Sequence, residues 1–172
     1  MIDIPDPSLV VLVGAAGSGK STFAARHFRP DEVLSSDAFR EKLSGDATDQ
    51  RRTRTVFSLL HREAVKRLAA GRLVVIDATN VERHARRSLV ALARAAGVPA
   101  VAIVLALPAG IVQERNAGRT ERVVDAEVVG RHLDRLAAAL RGDGIAAESF
   151  DAVHVLRSAA EVDGAVVRRV PA

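Results

Sequence analysis

Leu9-Val10-Val11-Leu12-Val13-Gly14-Ala15-Ala16-Gly17-Ser18-Gly19-Lys20-Ser21-Thr22-Phe23-Ala24 is the stretch that decides the fold. Five apolar residues predict a buried strand, and residues 22–25 read as the start of a helix. Between them, residues 14–21 satisfy the pattern G-x-x-x-x-G-K-[ST], a phosphate-binding loop. Its glycines permit positive φ and close backbone approach, so that successive N–H groups point at phosphate oxygens. The helix N-terminus adds partial positive charge. Lys20 is expected to reach the β and γ phosphates of a nucleoside triphosphate, and the Ser21 hydroxyl to coordinate Mg²⁺. A plain glycine turn opening a helix is the blander reading of the same residues.

Working outward, further apolar runs occupy residues 32–35, 73–77, 100–107 and 152–156, which with residues 8–13 make five. Most are continuous rather than alternating, as expected of strands buried on both faces of a parallel sheet. Helical stripes lie between them. Phe57, Leu60, Ala64 and Leu68 form one, ended by Gly71; Leu89, Leu92, Ala93 and Ala96 form a second, ended by Gly97 and Pro99. Val128, Val129, Leu133, Leu136 and Leu140 form a third, and Ser158 with Glu161 has capping-box spacing for a short last helix. Strands alternating with helices predict an α/β fold with a parallel sheet flanked by helices.

The 172 residues correspond to a single domain, 1–172. With 48% apolar and 27% charged residues the chain has a globular balance, and it holds no cysteine, which excludes disulfides, thiolate zinc sites and thiol nucleophiles. No apolar run reaches membrane-spanning length, and residues 1–6 do not resemble a secretory signal. The expectation is a cytoplasmic protein with no membrane partner. The net charge of +4 is uneven: residues 51–94 carry eleven basic residues against Glu63, Asp77 and Glu82, a net of +8, so the remainder carries −4. A cationic middle suggests a polyanionic partner, or a solvated helix surface in an arginine-rich chain.

Three further segments carry candidate chemistry. The strand at residues 32–35 runs into Ser36-Asp37, with Arg40 one turn later. In open α/β sheets ligands sit beyond the carboxyl ends of the strands, which puts Asp37 on the γ-phosphate side, where a carboxylate can take a proton from an attacking hydroxyl. Arg40 is placed to hold a phosphate of the acceptor. A helix-capping Asp and a surface Arg are the alternative. The strand at 73–77 ends in Asp77-Ala78-Thr79-Asn80, where an Asp serves Mg²⁺ or its waters; the alternative is a self-capped turn. Residues 114–122 place Arg115, Arg119 and Arg122 around the helix breaker Gly118, either on a closing lid that neutralises the transferring phosphoryl group or on a self-paired charged hairpin. His61, His84 and His132 have no metal-ligand spacing and read as structural or solvated.

Taken in order, Gly14 to Ala24, Ser35-Ser36-Asp37 with Arg40, Asp77-Ala78-Thr79-Asn80, and Glu114-Arg115-Asn116 with Arg119 closely resemble the 5′-kinase domain of bacterial polynucleotide kinase–phosphatase. The resemblance covers nearly the whole chain. It implies a P-loop kinase fold with an arginine-bearing lid and strand order 2-3-1-4-5 in the five strands above. It also implies transfer of the γ-phosphate of ATP, GTP or another nucleoside triphosphate to the 5′-hydroxyl end of RNA or DNA. Catalysis then falls to Lys20, Asp37, Arg40, Arg115 and Arg119. Nucleotide binding falls to Gly14, Ala15, Ala16, Gly17, Ser18, Gly19, Lys20, Ser21 and Thr22 with the two lid arginines. Mg²⁺ or Mn²⁺ falls to Ser21, Asp37 and Asp77, and nucleic-acid contact to Arg40, Gln50, Arg51, Arg54, Asn80 and Arg83. The implied partners are phosphatase and ligase domains or proteins of an end-repair pathway. Residues 51–54 depart from the family pattern in being more basic. The rivals are a small-molecule kinase of the same fold, acting on gluconate, adenylylsulfate or an antibiotic hydroxyl, and a nucleotide-dependent switch. Asp37 argues against the switch, which positions water rather than deprotonating an alcohol.

Overall fold

Five parallel strands set the frame of the structure, a computed structural model that describes residues 1–45, 53–120 and 123–172. They are β2 (Leu9–Val13), β3 (Val33–Ser35), β4 (Val74–Asp77), β5 (Ala100–Leu105) and β6 (Ala152–Leu156), ordered β3-β4-β2-β5-β6. Counted within this sheet alone, the order is the expected 2-3-1-4-5. The labels shift by one because a strand absent from the sequence reading, β1 (Ile2–Asp6), precedes them. It pairs in parallel with β7 (Val167–Pro171), likewise unexpected, to make a second, two-stranded sheet.

Both faces of the larger sheet are covered, which is why its strands read as continuous apolar runs. Leu9, Val11 and Val13 face one core with Leu60, Ala64, Leu68, Leu89, Val90 and Ala93. Those residues come from α3 (Thr53–Ala69) and α4 (Arg83–Ala95). Val10 and Leu12 face the other core, against α1 (Lys20–His27), α5 (Ala109–Ala117), α7 (Ala159–Asp163) and the isoleucines of β1. Each fully buried Leu or Ile contributes about 1.5–3 kcal/mol by leaving water. The helical stripes fall where the spacing puts them. Gly71 and Gly97 end α3 and α4 at positive φ of 68° each, a conformation glycine adopts without steric cost. α6 (Ala126–Ala139) is capped by Asp125, whose carboxylate accepts from the N–H groups of Glu127 and Val128. Ser158 caps α7 by accepting from Glu161 N–H at 3.1 Å.

The small sheet is fastened by charge. Arg168 grips Asp3 with two hydrogen bonds of 2.8 and 2.7 Å. Arg169 reaches Asp6 and, at 2.7 Å, the buried Glu32 beside β3, while its guanidinium lies 5.5 Å from the Phe28 ring centroid. Burial pushes the Glu32 carboxyl up, but hydrogen bonds from Arg169 and from Arg29 N–H outweigh it and hold it below the ordinary glutamate range.

Register decides where chemistry gathers. Leu12 of β2 and Ser35 of β3 both lie level with Asp77 of β4. The chain leaves these three strands at one edge, into the phosphate loop, into α2 (Ser36–Ser44) and into residues 78–82. Among the described residues no helix is long and apolar enough to cross a membrane.

Candidate active site

The phosphate loop owes its shape to three glycines. Gly17 and Gly19 have φ of 88° and 91°. A Cβ on Gly17 would lie 2.6 Å from the Val112 carbonyl of α5, and one on Gly14 would lie 2.6 Å from Ser18 Oγ and 3.0 Å from the Leu105 carbonyl. The loop is therefore pressed between α5 and the end of β5, with no room for a side chain at Gly14 or Gly17. Lys20 opens α1, is largely buried, and donates to the Ala15 carbonyl at 2.9 Å.

Asp77 stands opposite. Burial pushes its carboxyl above the ordinary aspartate range; Lys20, a hydrogen bond from Ser21 and Arg119 pull the other way, and the nearby Asp37 adds to the rise. Four expected site residues, Lys20, Ser21, Asp37 and Arg119, are therefore close enough to act on the fifth, Asp77. Ser21 and Asp77 fit a magnesium ion. A buried carboxylate whose charged form is disfavoured, bonded to a hydroxyl, gains from a nearby divalent cation. Among the described residues no group of three or more His, Cys, Asp or Glu is placed to hold a metal, so such an ion would take most of its ligands from phosphate and water, as Mg²⁺ does.

Asp37 is not the cap of α2. Ser35 is, its hydroxyl accepting from Ala38 N–H. Asp37 sits in the first turn, half exposed, and receives Arg40 Nη1 at 2.7 Å. Arg40 is not a surface residue: its side chain is 5% exposed. One turn of helix thus delivers a carboxylate to solvent with a buried guanidinium fixed behind it.

Two cavities meet at this centre. The smaller, about 290 Å³, is lined by Gly17, Gly19, Thr22, Phe23, Arg26 and Arg115 among others, and by Arg119. The larger, about 690 Å³, holds Lys20, Ser21, Asp37, Arg40, Arg54 and Asp77, and Arg119 again. Arg119 therefore borders both. Ala16 faces the larger one. Arg115 ends α5, and its Nη1 would lie 3.6 Å from a Cβ built on Gly19.

Some expectations need correction. Asn80 lines the larger cavity, but its side-chain amide is spent inward, donating to the Leu12 carbonyl at 2.8 Å. What is left is an acceptor oxygen, which has nothing to offer a phosphate. Arg83 is exposed and lies outside the cavity lining; its nearest acidic neighbour is Glu148, at 3.9 Å. Arg86, counted in the cationic middle, is fully buried, so that surface charge is smaller than the sequence suggests. Gln50, Arg51 and Arg52, and Arg122 of the lid, lie outside the described residues.

Sequence reasoning also missed residues. His61, His84 and His132, read as structural or solvated, all line the larger cavity. Burial lowers the pKa of His61; burial, then Lys20 and Arg135, lowers that of His132. Asn116 ties α5 to the segment before α6: Nδ2 donates to the Val124 carbonyl at 2.7 Å and Oδ1 accepts Val124 N–H at 3.1 Å. The Glu114-Arg115-Asn116 motif named this residue, but not its role.

Known proteins bear on this geometry. No curated protein matches the sequence. The fold is similar to a chain in two structures of the Pnkp1/Rnl/Hen1 RNA repair complex, at 24% and 26% identity. The TM-scores are 0.67 and 0.57, over 78% and 70% of this chain. This chain spans less than half the length of those proteins, 45% and 42%. It is similar also to a gluconokinase from Sinorhizobium meliloti (19% identity, TM-score 0.56, 93% of this chain and 87% of that one). A third likeness is to the Mycobacterium tuberculosis APS kinase CysC in complex with AMPPNP and APS (22% identity, TM-score 0.53, 67% of this chain and 71% of that one). These likenesses establish the P-loop kinase fold. Residues 9–142, from the first strand of the large sheet through the whole of α6, match the AAA domain family, and the chain belongs to it.

Proposed function

We propose that this protein transfers the γ-phosphate of ATP or GTP to the 5′-hydroxyl end of RNA or DNA. The observation that carries the reading is the make-up of the larger cavity. Beside Asp37, Arg40 and Arg54 it has an apolar wall of Phe57, Leu89, Val123, Val124 and Val128, in about 690 Å³. A polyhydroxylated acid such as gluconate needs hydrogen-bonding groups all round. A nucleotide at a strand end needs a cationic corner for its phosphate and an apolar surface for its base, and this cavity offers both.

In this reading the donor triphosphate lies along residues 14–22, with its nucleoside toward the smaller cavity. Lys20 exchanges its bond to the Ala15 carbonyl for phosphate oxygens. Ser21 and Asp77 would hold Mg²⁺, which would supply positive charge against the charge developing on the phosphates. Asp37, turned by Arg40, accepts the proton of the 5′-hydroxyl. That oxygen bonds to the γ-phosphorus, the bond to the β-phosphate oxygen breaks, and the products are a 5′-phosphorylated strand, the nucleoside diphosphate and one proton. Arg115 and Arg119 stabilise the charge spreading over the transferred group. Arg40 and Arg54 face the acceptor phosphate, Gln50 and Arg51 are assigned to the strand from the sequence alone, and Asn80 acts only through the backbone it holds. Phosphatase and ligase activities in the same end-repair pathway would supply or consume these ends.

Labelled ATP offered to 5′-hydroxyl RNA, 5′-hydroxyl DNA, gluconate and adenylylsulfate tests the reading. Label on strand ends supports it. Label on either metabolite alone moves the protein to the small-molecule kinases, and release only as free phosphate moves it to a nucleotide hydrolase.

A further inference from the structure

Residues 78–82 form part of the wall of the larger cavity, and what holds them is a buried ion pair 62 residues apart in sequence. Arg86, in the second turn of α4, spends four of its five guanidinium N–H donors on buried partners. Nε and Nη2 bind the two oxygens of Glu148, at 2.6 Å each, and Nη1 donates to the Asn80 carbonyl at 2.9 Å and the Val81 carbonyl at 2.7 Å. The two side chains are 1% and 4% exposed. Glu148 ends a 3₁₀ turn, Gly144–Glu148, that leads from α6 toward β6.

Stability does not account for such a pair. Removing two charges from water costs several kcal/mol each, and well-packed apolar replacements are often as stable or more so. What an apolar pair could not do is grip two carbonyls at once. Those carbonyls directly follow a costly backbone position, because Asn80 is a non-glycine residue at φ 47°. The same residue is tied on its other side to the Leu12 carbonyl, one residue from the strand end that feeds the phosphate loop. Glu82 closes the segment by pairing with Arg135 of α6. The wall is thus pinned to the phosphate-loop strand, to α6 and, through Arg86, to Glu148.

We infer that Arg86 and Glu148 are positioning residues: they hold residues 78–82 in the backbone shape that admits the acceptor, without touching acceptor or nucleotide. The inference rests on the reading of the larger cavity as the acceptor side. Its test uses the double variant Arg86→Met with Glu148→Leu, and Arg86→Lys, which keeps the charge without the fork. Three quantities are read: nucleotide affinity, KM for a 5′-hydroxyl DNA dodecamer, and amide exchange of residues 78–82 by mass spectrometry.

The double variant is expected to fold with an unfolding midpoint somewhat below wild type, because the Asn80 and Val81 carbonyls lose their donor, and with nucleotide affinity within twofold. Its acceptor KM should rise at least tenfold, and exchange at residues 78–82 should quicken at least tenfold. Arg86→Lys should show the same split in smaller measure, and decides the matter if the double variant does not fold. Unchanged KM and exchange would overturn the inference, as would equal losses in nucleotide and acceptor binding, which mark a general core defect. If wild type phosphorylates no strand, the acceptor reading fails on its own, and the exchange rates still decide whether the pair pins the segment.

Discussion

In the proposed reading, the donor side and the acceptor side of the site are built from different materials. The donor side is backbone: Gly14, Gly17 and Gly19 bend residues 14–19 against α5 and β5, and Lys20 and Ser21 follow at the helix start. The acceptor side is side chain. Asp37 is aimed by Arg40, one helical turn on, and residues 78–82 by Arg86 and Glu148, which only the folded chain brings together. A backbone cradle tolerates no added atom, whereas a side-chain wall can be rebuilt for another acceptor while the cradle stays as it is. Kinases of this fold with different acceptors are the expected result.

The comparison breaks first at Asp37 and Lys20. Asp37→Asn should lower transfer by ~10²–10⁴-fold with nucleotide binding retained, measured by single-turnover kinetics beside equilibrium titration. Lys20→Ala should also cost ~10²-fold or more, but on the donor side, because its charge serves the phosphates. If Asp37→Asn weakened nucleotide binding as much as Lys20→Ala does, the division into two sides would be wrong.

Next in size is the cradle itself. Gly17→Ala places a methyl 2.6 Å from the Val112 carbonyl at φ 88°, and should cost at least ~2 kcal/mol of stability along with nucleotide affinity. Gly130→Ala, in α6 with nothing within 4 Å of the added Cβ, should instead stabilise by roughly 0.4–1 kcal/mol. Chemical denaturation of the two variants measures both signs.

Asp77 sharpens the contrast between function and stability. Its raised pKa means that the folded state disfavours its charge, so at neutral pH the group opposes folding, and lowering the pH through that pKa relieves it. Asp77→Asn should therefore raise the melting midpoint of the metal-free protein while impairing transfer. A lower midpoint would show that the carboxylate is there for the fold.

The smallest effect lies far from the site. Glu32 is held below the ordinary glutamate range, chiefly by Arg169 against the pull of burial. A depressed carboxylate stabilises the fold above its unfolded pKa and loses that contribution as pH falls through the folded value. Wild type should lose this stability below about pH 4.5, and Arg169→Met should flatten that part of the curve. Urea midpoints between neutral and acid pH measure it.

Much of the molecule was legible in the sequence, and the unread parts share one cause. The phosphate loop is local and each of its glycines is forced, so residues 14–21 announce it. The five strands of the large sheet show as apolar runs because both faces are buried. The resemblance to a known kinase supplied their order. The β1–β7 sheet went unread because β1 alternates over only five positions, β7 (Val167-Arg168-Arg169-Val170-Pro171) does not alternate, and the two lie 165 residues apart. Arg86 went unread because a helical arginine among ten other basic residues looks solvated. Only Glu148, 62 residues on, makes it a core residue. The histidines of the larger cavity were passed over for the same reason, since each lies on a different helix.

The account's central claim is that the acceptor is the end of a nucleic-acid strand, and one comparison tests it most directly. Transfer from labelled ATP to a nucleoside 3′-phosphate is measured against transfer to the bare nucleoside, in wild type and in Arg40→Lys. Wild type should strongly prefer the 3′-phosphate. Arg40→Lys, which keeps the charge and loses the two-pronged grip, should erode that preference more than it slows use of the bare nucleoside. Equal use of the two acceptors by wild type would contradict the claim and leave a kinase of small molecules.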